Sequence, residues 1–271
     1  MSARTSRIAL FFRPALTVAD LPNSGGRCLS PAQYWWQAAR WPLLTFLIAG
    51  TALAFSGIDV WIARTLFFAR GHWLGADSVW TGEIVHTAGG WLVRSILLAT
   101  LVTWAGSFMN SELRHWRRPA GYVLLAAGLS VGVVGLLKHI TNVDCPWDLV
   151  PFGGRFPYVH LFADRPDTLR RAACFPAAHA SSGYALMSLY FVALERSRLW
   201  ARRGLWFGVA IGLIFGISQQ SRGAHFLSHD LWAAMLAWLI SLSVYCCAFR
   251  CRVWKQIAGG QDYRKREAER K

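Results

Sequence analysis

The sequence predicts an all-α membrane protein, a polytopic six-transmembrane-helix bundle with an outward-facing active site. Three observations carry that expectation. Hydrophobic residues fill 54% of 271 positions and include fifteen Trp, with a mean hydropathy of +0.30, which is too apolar for an ordinary soluble domain. The apolar residues gather into six runs, each near the ~20 residues a helix needs to cross the hydrocarbon core. The formal charge of +15 falls in short basic clusters between those runs, where membrane topology places it. That distribution excludes nucleic acid as the partner and leaves the lipid bilayer.

Residues 1–41 form a basic N-terminal segment with Arg4, Arg7 and Arg13. It has no apolar core followed by a small-residue cleavage site, so no removable signal peptide is expected. Trp35, Trp36 and Trp41 precede the first apolar run and read as an interfacial belt. The membrane domain is expected over 42–249, with spans at about 42–60, 91–109, 120–138, 179–195, 204–220 and 226–249. Between the first two spans lie Arg64, Arg70, Glu83 and His86, and the apolar run Ile62, Leu66, Phe67 predicts that part of this region lies along the bilayer surface. Glu83 and His86 fit either an approach to the site or a capped surface helix.

Arg114, Arg117 and Arg118 follow the second span, and Arg196, Arg198, Arg202 and Arg203 follow the fourth. The long polar loop 139–178 mixes Asp144, Asp148, Asp164 and Asp167 with its arginines. The tail 250–271 is basic and expected to fray. The N-terminus, the two basic turns and the tail alternate as six spans require. They belong in the cytoplasm with both termini, which turns 61–90, 139–178 and 221–225 outward. The six cysteines show no metal-type pairing, and Cys246, Cys247 and Cys251 read as packing residues at a helix end.

The polar residues that remain point to one kind of chemistry. Arg222, His225 and His229 are spaced three, four and seven apart, so one helix would present them on one face. A planar cation beside two titratable nitrogens suits a phosphate-like anion. The same residues also fit a membrane boundary that meets headgroups. Convergence favours the first reading. Lys138 closes the third span, and Cys174-Phe-Pro176-Ala-Ala-His179-Ala-Ser181-Ser182-Gly183 opens the fourth. Three distant segments thus deliver a lysine, an arginine and histidines to one surface, with two helix N-termini whose free N–H groups attract anions. Singly, each has a structural explanation: Lys138 snorkels, and Ser181 and Ser182 cap a helix.

In this order and spacing the residues resemble the type 2 phosphatidic acid phosphatase superfamily, whose membrane members have six helices and three signature segments. The first family segment is a lysine, six residues, then Arg-Pro; Lys138 and Pro146 fit, with Cys145 in the arginine's place. The second, Pro-Ser-Gly-His, is here Pro176-Ala-Ala-His179. The third is Ser-Arg, five residues, His, three residues, Asp. Ser218, His225 and His229 fall on that spacing, with Gln219 for the arginine, His229 for the aspartate, and Asp230 one residue late. The resemblance covers roughly residues 90–249.

It implies a metal-independent, cofactor-free phosphoryl transfer through a phosphohistidine. By position His225 is the nucleophile and His179 the acid that protonates the leaving oxygen. Lys138, Ser181 and Arg222 would hold the phosphate, Arg222 replacing the clamp lost at Gln219. The orienting group is His229 or Asp230; in a straight helix Asp230 lies about 140° round from His225 and faces away. Arg155, Arg165, Arg170 and Arg171 are candidates to replace the arginine missing at Cys145. Cys145 and Cys174 lie beside two signature segments in an outward loop, where a disulfide can form and pin the loop over the site. The implied activity is hydrolysis of a lipid phosphate or diphosphate at the periplasmic leaflet of a bacterial inner membrane. The implied substrates are undecaprenyl diphosphate, phosphatidic acid, phosphatidylglycerol phosphate or the lipid A phosphates. A lipid-to-lipid phosphotransferase and a non-catalytic lipid-binding or transport protein are the alternatives.

Overall fold

Ser30 opens the first helix by reciprocal capping. Its hydroxyl accepts the Gln33 N–H at 3.2 Å, and the Gln33 side chain accepts the Ser30 N–H at 2.9 Å, which satisfies donors that a helix start leaves orphaned. A computed structural model describes residues 30–250 except 161, 162, 164, 167 and 195. The expectations for the segment before residue 30, for the tail with Cys251, and for Asp164 and Asp167 lie outside the described residues.

Helix α1 (Pro31–Ser56) ends at Gly57, whose φ of +71° breaks the helix. Helix α2 (Ile58–Ile62) continues in wider π-helical turns to Phe67. The two arms of this bent pair make an angle of 76°, in keeping with a stretch that lies across the bundle axis. A two-stranded hairpin follows, β1 (Phe68–Ala69) and β2 (His72–Trp73), and a π-helical run Trp80–Ala88 leads into α3 (Gly89–Met109). Helix α4 (Arg117–Thr141) precedes the long loop. Then come α5 (Ala178–Tyr184) and α6 (Ser188–Leu194), joined by a tight turn, α7 (Arg198–Ser221) and α8 (Leu227–Tyr245).

Among the described residues, four helices are long and apolar enough to cross a bilayer: Trp80–Met109, Arg114–Asp148, Arg198–Ser221 and Leu227–Phe249; the bent pair makes a fifth if it is one span. The fourth expected span, near 179–195, does not join them. It is two seven-residue helices and their linking turn, and it is enclosed by its neighbours, with Ala180, Ser181 and Phe191 all at 0% exposure. A helix that is apolar all round is buried, by protein or by lipid, and hydropathy does not distinguish the two. The expected boundary at 41/42 falls inside α1, because the Ser30 cap starts the helix before the apolar run begins. Ile48, Phe55, Trp91, Leu98, Val102, Trp206 and Ile217 are exposed on the outer faces. In water a surface of that kind drives association; acyl chains cover it in a bilayer.

Lipid tails are as apolar as leucine, so helices in a membrane associate through close packing and polar contacts. Here α5 and α7 meet through glycines. A Cβ on Gly183 would stand 2.7 Å from the Gly212 nitrogen, and one on Gly208 would overlap the Met187 backbone. Polar contacts join other pairs: Tyr122 Oη donates to the Ser241 carbonyl at 2.9 Å, and Trp35 Nε1 donates to Ser243 Oγ at 3.0 Å.

The basic clusters at 114–118 and 196–203 share one end of the bundle, where the Arg196 guanidinium lies over Trp116 at 4.7 Å. The opposite end is built from the other connections. The Gly75 N–H donates to the Ser221 carbonyl and the Trp147 N–H to the Gly223 carbonyl, each at 2.9 Å. The Ser228 N–H donates to Asp59 Oδ1 at 3.0 Å, so a carboxylate from α2 caps the start of α8. Cys145 and Cys174 form a disulfide with their Cα atoms 5.1 Å apart. Arg165 grips Asp144 through two hydrogen bonds of 2.9 and 2.8 Å. The described parts of the 142–177 loop are therefore tied down as a cap on this end of the bundle.

The contact between α5 and α7 gives a direct test. Gly183→Val forces those backbones apart and should destabilise the bundle by ~1–3 kcal/mol, the usual cost of overpacking. Thermal unfolding in detergent reads this as a lowered midpoint, and an unchanged midpoint would contradict the packing described.

Candidate active site

Helix α7 ends at Ser221, and Arg222 is its C-cap. Gly223 then adopts φ +75°, a conformation suited to glycine, in a place where any Cβ would strike the Trp73 ring. The chain reverses there, and α8 starts at Leu227. Arg222, His225 and His229 therefore do not share a helix face, contrary to the spacing argument. The glycine break comes between the first two, and His225 sits in the turn rather than in either helix.

The turn buries His225 to 6% exposure, and the first turn of α8 buries His229 to 3%. Their Nδ1 atoms are 3.3 Å apart. His229 Nδ1 is 3.0 Å from the Cys174 carbonyl oxygen. Cys174 is held by its disulfide and by its N–H, which donates to the Val143 carbonyl at 2.9 Å. The first and second signature segments thus lock onto the third.

His179 opens α5 and lies between two rings, His86 at 4.5 Å and 29° and Phe215 at 4.2 Å and 23°. Its buried Nε2 has no partner among the described residues. Lys138, in the last turn of α4, and His179 both lie close enough to His225 to act on it electrostatically. Arg222 acts in the same way on His179 and His86, as does Arg94. Neither Lys138 nor Arg222 has a carboxylate or carbonyl partner among the described residues, so both cations are available to an anion.

The structure thus brings Lys138, His179, His225 and His229 together, with Arg222 on the His179 side. It does not bring Ser181 or Asp230 to them. The Ser181 hydroxyl is fully buried and donates to the Ala178 carbonyl at 2.7 Å, as a serine in a first helical turn commonly does. Asp230 points at α7, where its Oδ2 accepts from Gln220 Nε2 and packs against Gly216; its place round the helix predicts as much. Three of the loop arginines are committed elsewhere. Arg165 holds Asp144, Arg170 lies 3.4 Å from Asp148, and Arg171 donates to the His139 carbonyl. Arg155 is exposed.

Of the two readings left open for His86, the approach to the site is the one the structure supports, since His86 stacks on His179; Arg94 joins the site without having been singled out. Arg94 is an arginine within an apolar run, and an intramembrane charge is itself a functional signal. Behind His229 a small polar cavity of about 40 Å³ is lined by Asp59, Asn142, Asp144, Tyr158 and Ser228. It has room for water rather than for a lipid headgroup.

Burial holds the His225 imidazole well below its ordinary pKa, and the neighbouring His229 and Lys138 push the same way. His225 is therefore neutral at pH 7, with a lone pair to offer. Together the residues make a cationic site holding an uncharged, buried imidazole and a second imidazole whose Nε2 has no partner among the described residues. The family model of the PAP2 superfamily matches residues 119–252, which takes in Lys138, Cys174, His179, Arg222, His225 and His229. No curated protein and no solved structure matches the chain.

The His225 shift has a sign that can be measured. In an NMR titration of the folded protein, His225 should stay neutral as pH falls through 6.5, the unperturbed value, and take up its proton only at lower pH. The unfolded chain binds that proton first, so His225 costs the fold stability as pH drops from about 6.5 toward the folded-state pKa. A midpoint at or above 6.5 would contradict the burial described.

Proposed function

Residues 119–252 of this chain belong to the PAP2 superfamily, and from that premise we propose an integral membrane phosphatase that hydrolyses a lipid phosphate or diphosphate through a phosphohistidine. The observation that carries the reading is the buried, neutral His225 set beside Lys138 and His179. His225 Nε2 attacks phosphorus and the bond to the lipid oxygen breaks, while His179, made an imidazolium by the proton of the bound phosphate monoanion, gives its Nε2 proton to that oxygen. Water then attacks the phosphohistidine, with His179 taking up the water's proton, and phosphate leaves. Lys138 and Arg222 hold the non-bridging oxygens as charge redistributes.

In this reading the membrane domain begins with α1 rather than at residue 42, and the basic segments that flank it lie in the cytoplasm. Six spans result if the bent pair is one span and the enclosed run Ala178–Leu194 is another. The basic clusters at the far end of the bundle from His225 then face the cytoplasm, which turns the site to the periplasmic leaflet of a bacterial inner membrane. Lipid tails would reach the site from the side, along the apolar outer faces. One observation favours a second reading, a lipid-binding protein without catalysis. The arginine expected at position 145 is absent, and Arg165, Arg170 and Arg171 are engaged elsewhere.

Phosphate release from a panel of lipid monophosphates and diphosphates separates the two. The phosphatase reading expects release by the wild type and none by His225→Ala, which still binds the lipid. Arg222→Gln should slow release by ~10²-fold, the usual cost of one preorganised donor. Binding without release by the wild type, on every lipid, would replace this reading with the second.

A further inference from the structure

The two faces of the His179 ring differ. Phe215, 2% exposed, closes one of them at 4.2 Å. His86 lies on the other at 4.5 Å and is itself exposed. At the ring edge a Cβ on Gly90 would stand 3.7 Å from Cε1, so a glycine leaves that approach clear. The ring is shut toward the core and open past His86 and the start of α3.

Arg94 stands on that open flank. It lies one turn after Gly90 and about 40° round the helix from it. Val93 beside it is 3% exposed and marks the packed face, whereas Arg94 and Trp91 are exposed. Helical side chains lean toward the N-terminus, and the Arg94 guanidinium does so, lying over the Trp91 ring at 4.9 Å. That lean returns the charge to the level of Gly90 and so of His179, and its field reaches His179 and His86. No carboxylate or carbonyl holds the guanidinium among the described residues. An arginine so placed is costly in an apolar run, here the 30-residue helix Trp80–Met109. An anion brought by the substrate offsets that cost.

We infer that Arg94 and His86 form a subsite for a second phosphate, so that the substrate is a lipid diphosphate and the leaving group a lipid monophosphate. The inference rests on reading His225 as the nucleophile and His179 as the acid. His225 Nε2 bonds to the terminal phosphorus, and the bond from that phosphorus to the bridging oxygen breaks. The bridging oxygen takes its proton from His179 and departs with the inner phosphate and the lipid. Water then releases inorganic phosphate from His225. The inner phosphate continues from the bridging oxygen, so it reaches the open side of His179. There Arg94 supplies charge and His86 a ring N–H. A lipid monophosphate would instead set the first carbons of its tail against a guanidinium. Both residues precede residue 119, where the family match begins, so this specificity comes from outside the matched segment.

The test compares hexadecyl diphosphate with hexadecyl monophosphate as substrates of the full-length protein in micelles. The wild type should favour the diphosphate in kcat/KM. Arg94→Gln should cut that preference by ~10–100-fold, the range for losing one charged hydrogen-bond partner, and Arg94→Lys should restore part of it. An equal loss on both substrates, or a preference unmoved by Arg94→Gln, would overturn the inference and leave the phosphatase reading standing. Binding of an uncleavable pair with the same tail, the methylenediphosphonate and the phosphonate, is measured alongside. Should the wild type cleave neither substrate, the phosphatase reading falls. The subsite then stands if Arg94→Gln weakens the diphosphonate more than the phosphonate, and falls if it weakens both alike. Should Arg94→Gln fail to fold, His86→Ala supplies the same comparison.

Discussion

A histidine stays neutral and correctly oriented at a membrane surface only where protein has replaced water around it and fixed where its proton points. That requirement on His225 governs the rest of the molecule. A group free to rotate in solvent would be partly protonated near neutrality and would spread its lone pair over two tautomers. Here the turn after α7 buries the ring, and Gly223 lets the chain reverse sharply enough to do so. The Nδ1 edge of the ring faces Nδ1 of His229, which in turn meets the Cys174 carbonyl. Lys138 adds positive charge, which favours the neutral ring and the arrival of an anion together.

The packing of the helices serves the same end. Within a bilayer the hydrophobic effect does little to bring helices together, and shape has to do it. Gly183, Gly208 and Gly212 allow α5 to lie directly on α7, and that contact sets His179 against Phe215. A wider spacing would leave the His179 ring without its stacking partner and carry Nε2 away from His225. The polar cap then closes the end of the bundle. The Asp144–Arg165 pair, the Cys145–Cys174 bridge and the Asp59 cap on α8 each tie a different connection down. An enclosed central run of small and aromatic residues, Ala178–Leu194, is the price of presenting His179 from the middle of the bundle.

Much of this was legible in the sequence, for identifiable reasons. Long apolar runs bounded by arginines mark α3, α4, α7 and α8, because hydropathy responds directly to the cost of placing polar groups in hydrocarbon. The convergence of Lys138, His179 and His225 was legible from segment order and spacing, and the Cys145–Cys174 pairing from the position of the two residues. The turn at Gly223 was not, because a helical wheel assumes that the helix continues; Arg222 therefore lies toward His179 and His86 rather than on a face with His225. Asp230 shows the opposite case: inside an unbroken helix, the same angular reasoning placed it correctly. His86 and Arg94 reach the site through the bend after α1 and the π-helical run; the sequence left His86 open between the site and a surface helix and did not single out Arg94. Whether a given apolar run meets lipid or protein depends on its neighbours, so the enclosure of Ala178–Leu194 could emerge only from the fold.

The central claim is that three separate stretches of chain build one phosphate site around His225 Nε2. A structure of the protein with orthovanadate, which adopts the geometry of a phosphoryl group in transfer, tests it most directly. The account predicts vanadium bonded to His225 Nε2, with Lys138 and Arg222 on its equatorial oxygens and His179 Nε2 at the apical oxygen opposite His225. Vanadate bound elsewhere, or a His225 Nε2 that no oxyanion reaches, would contradict it.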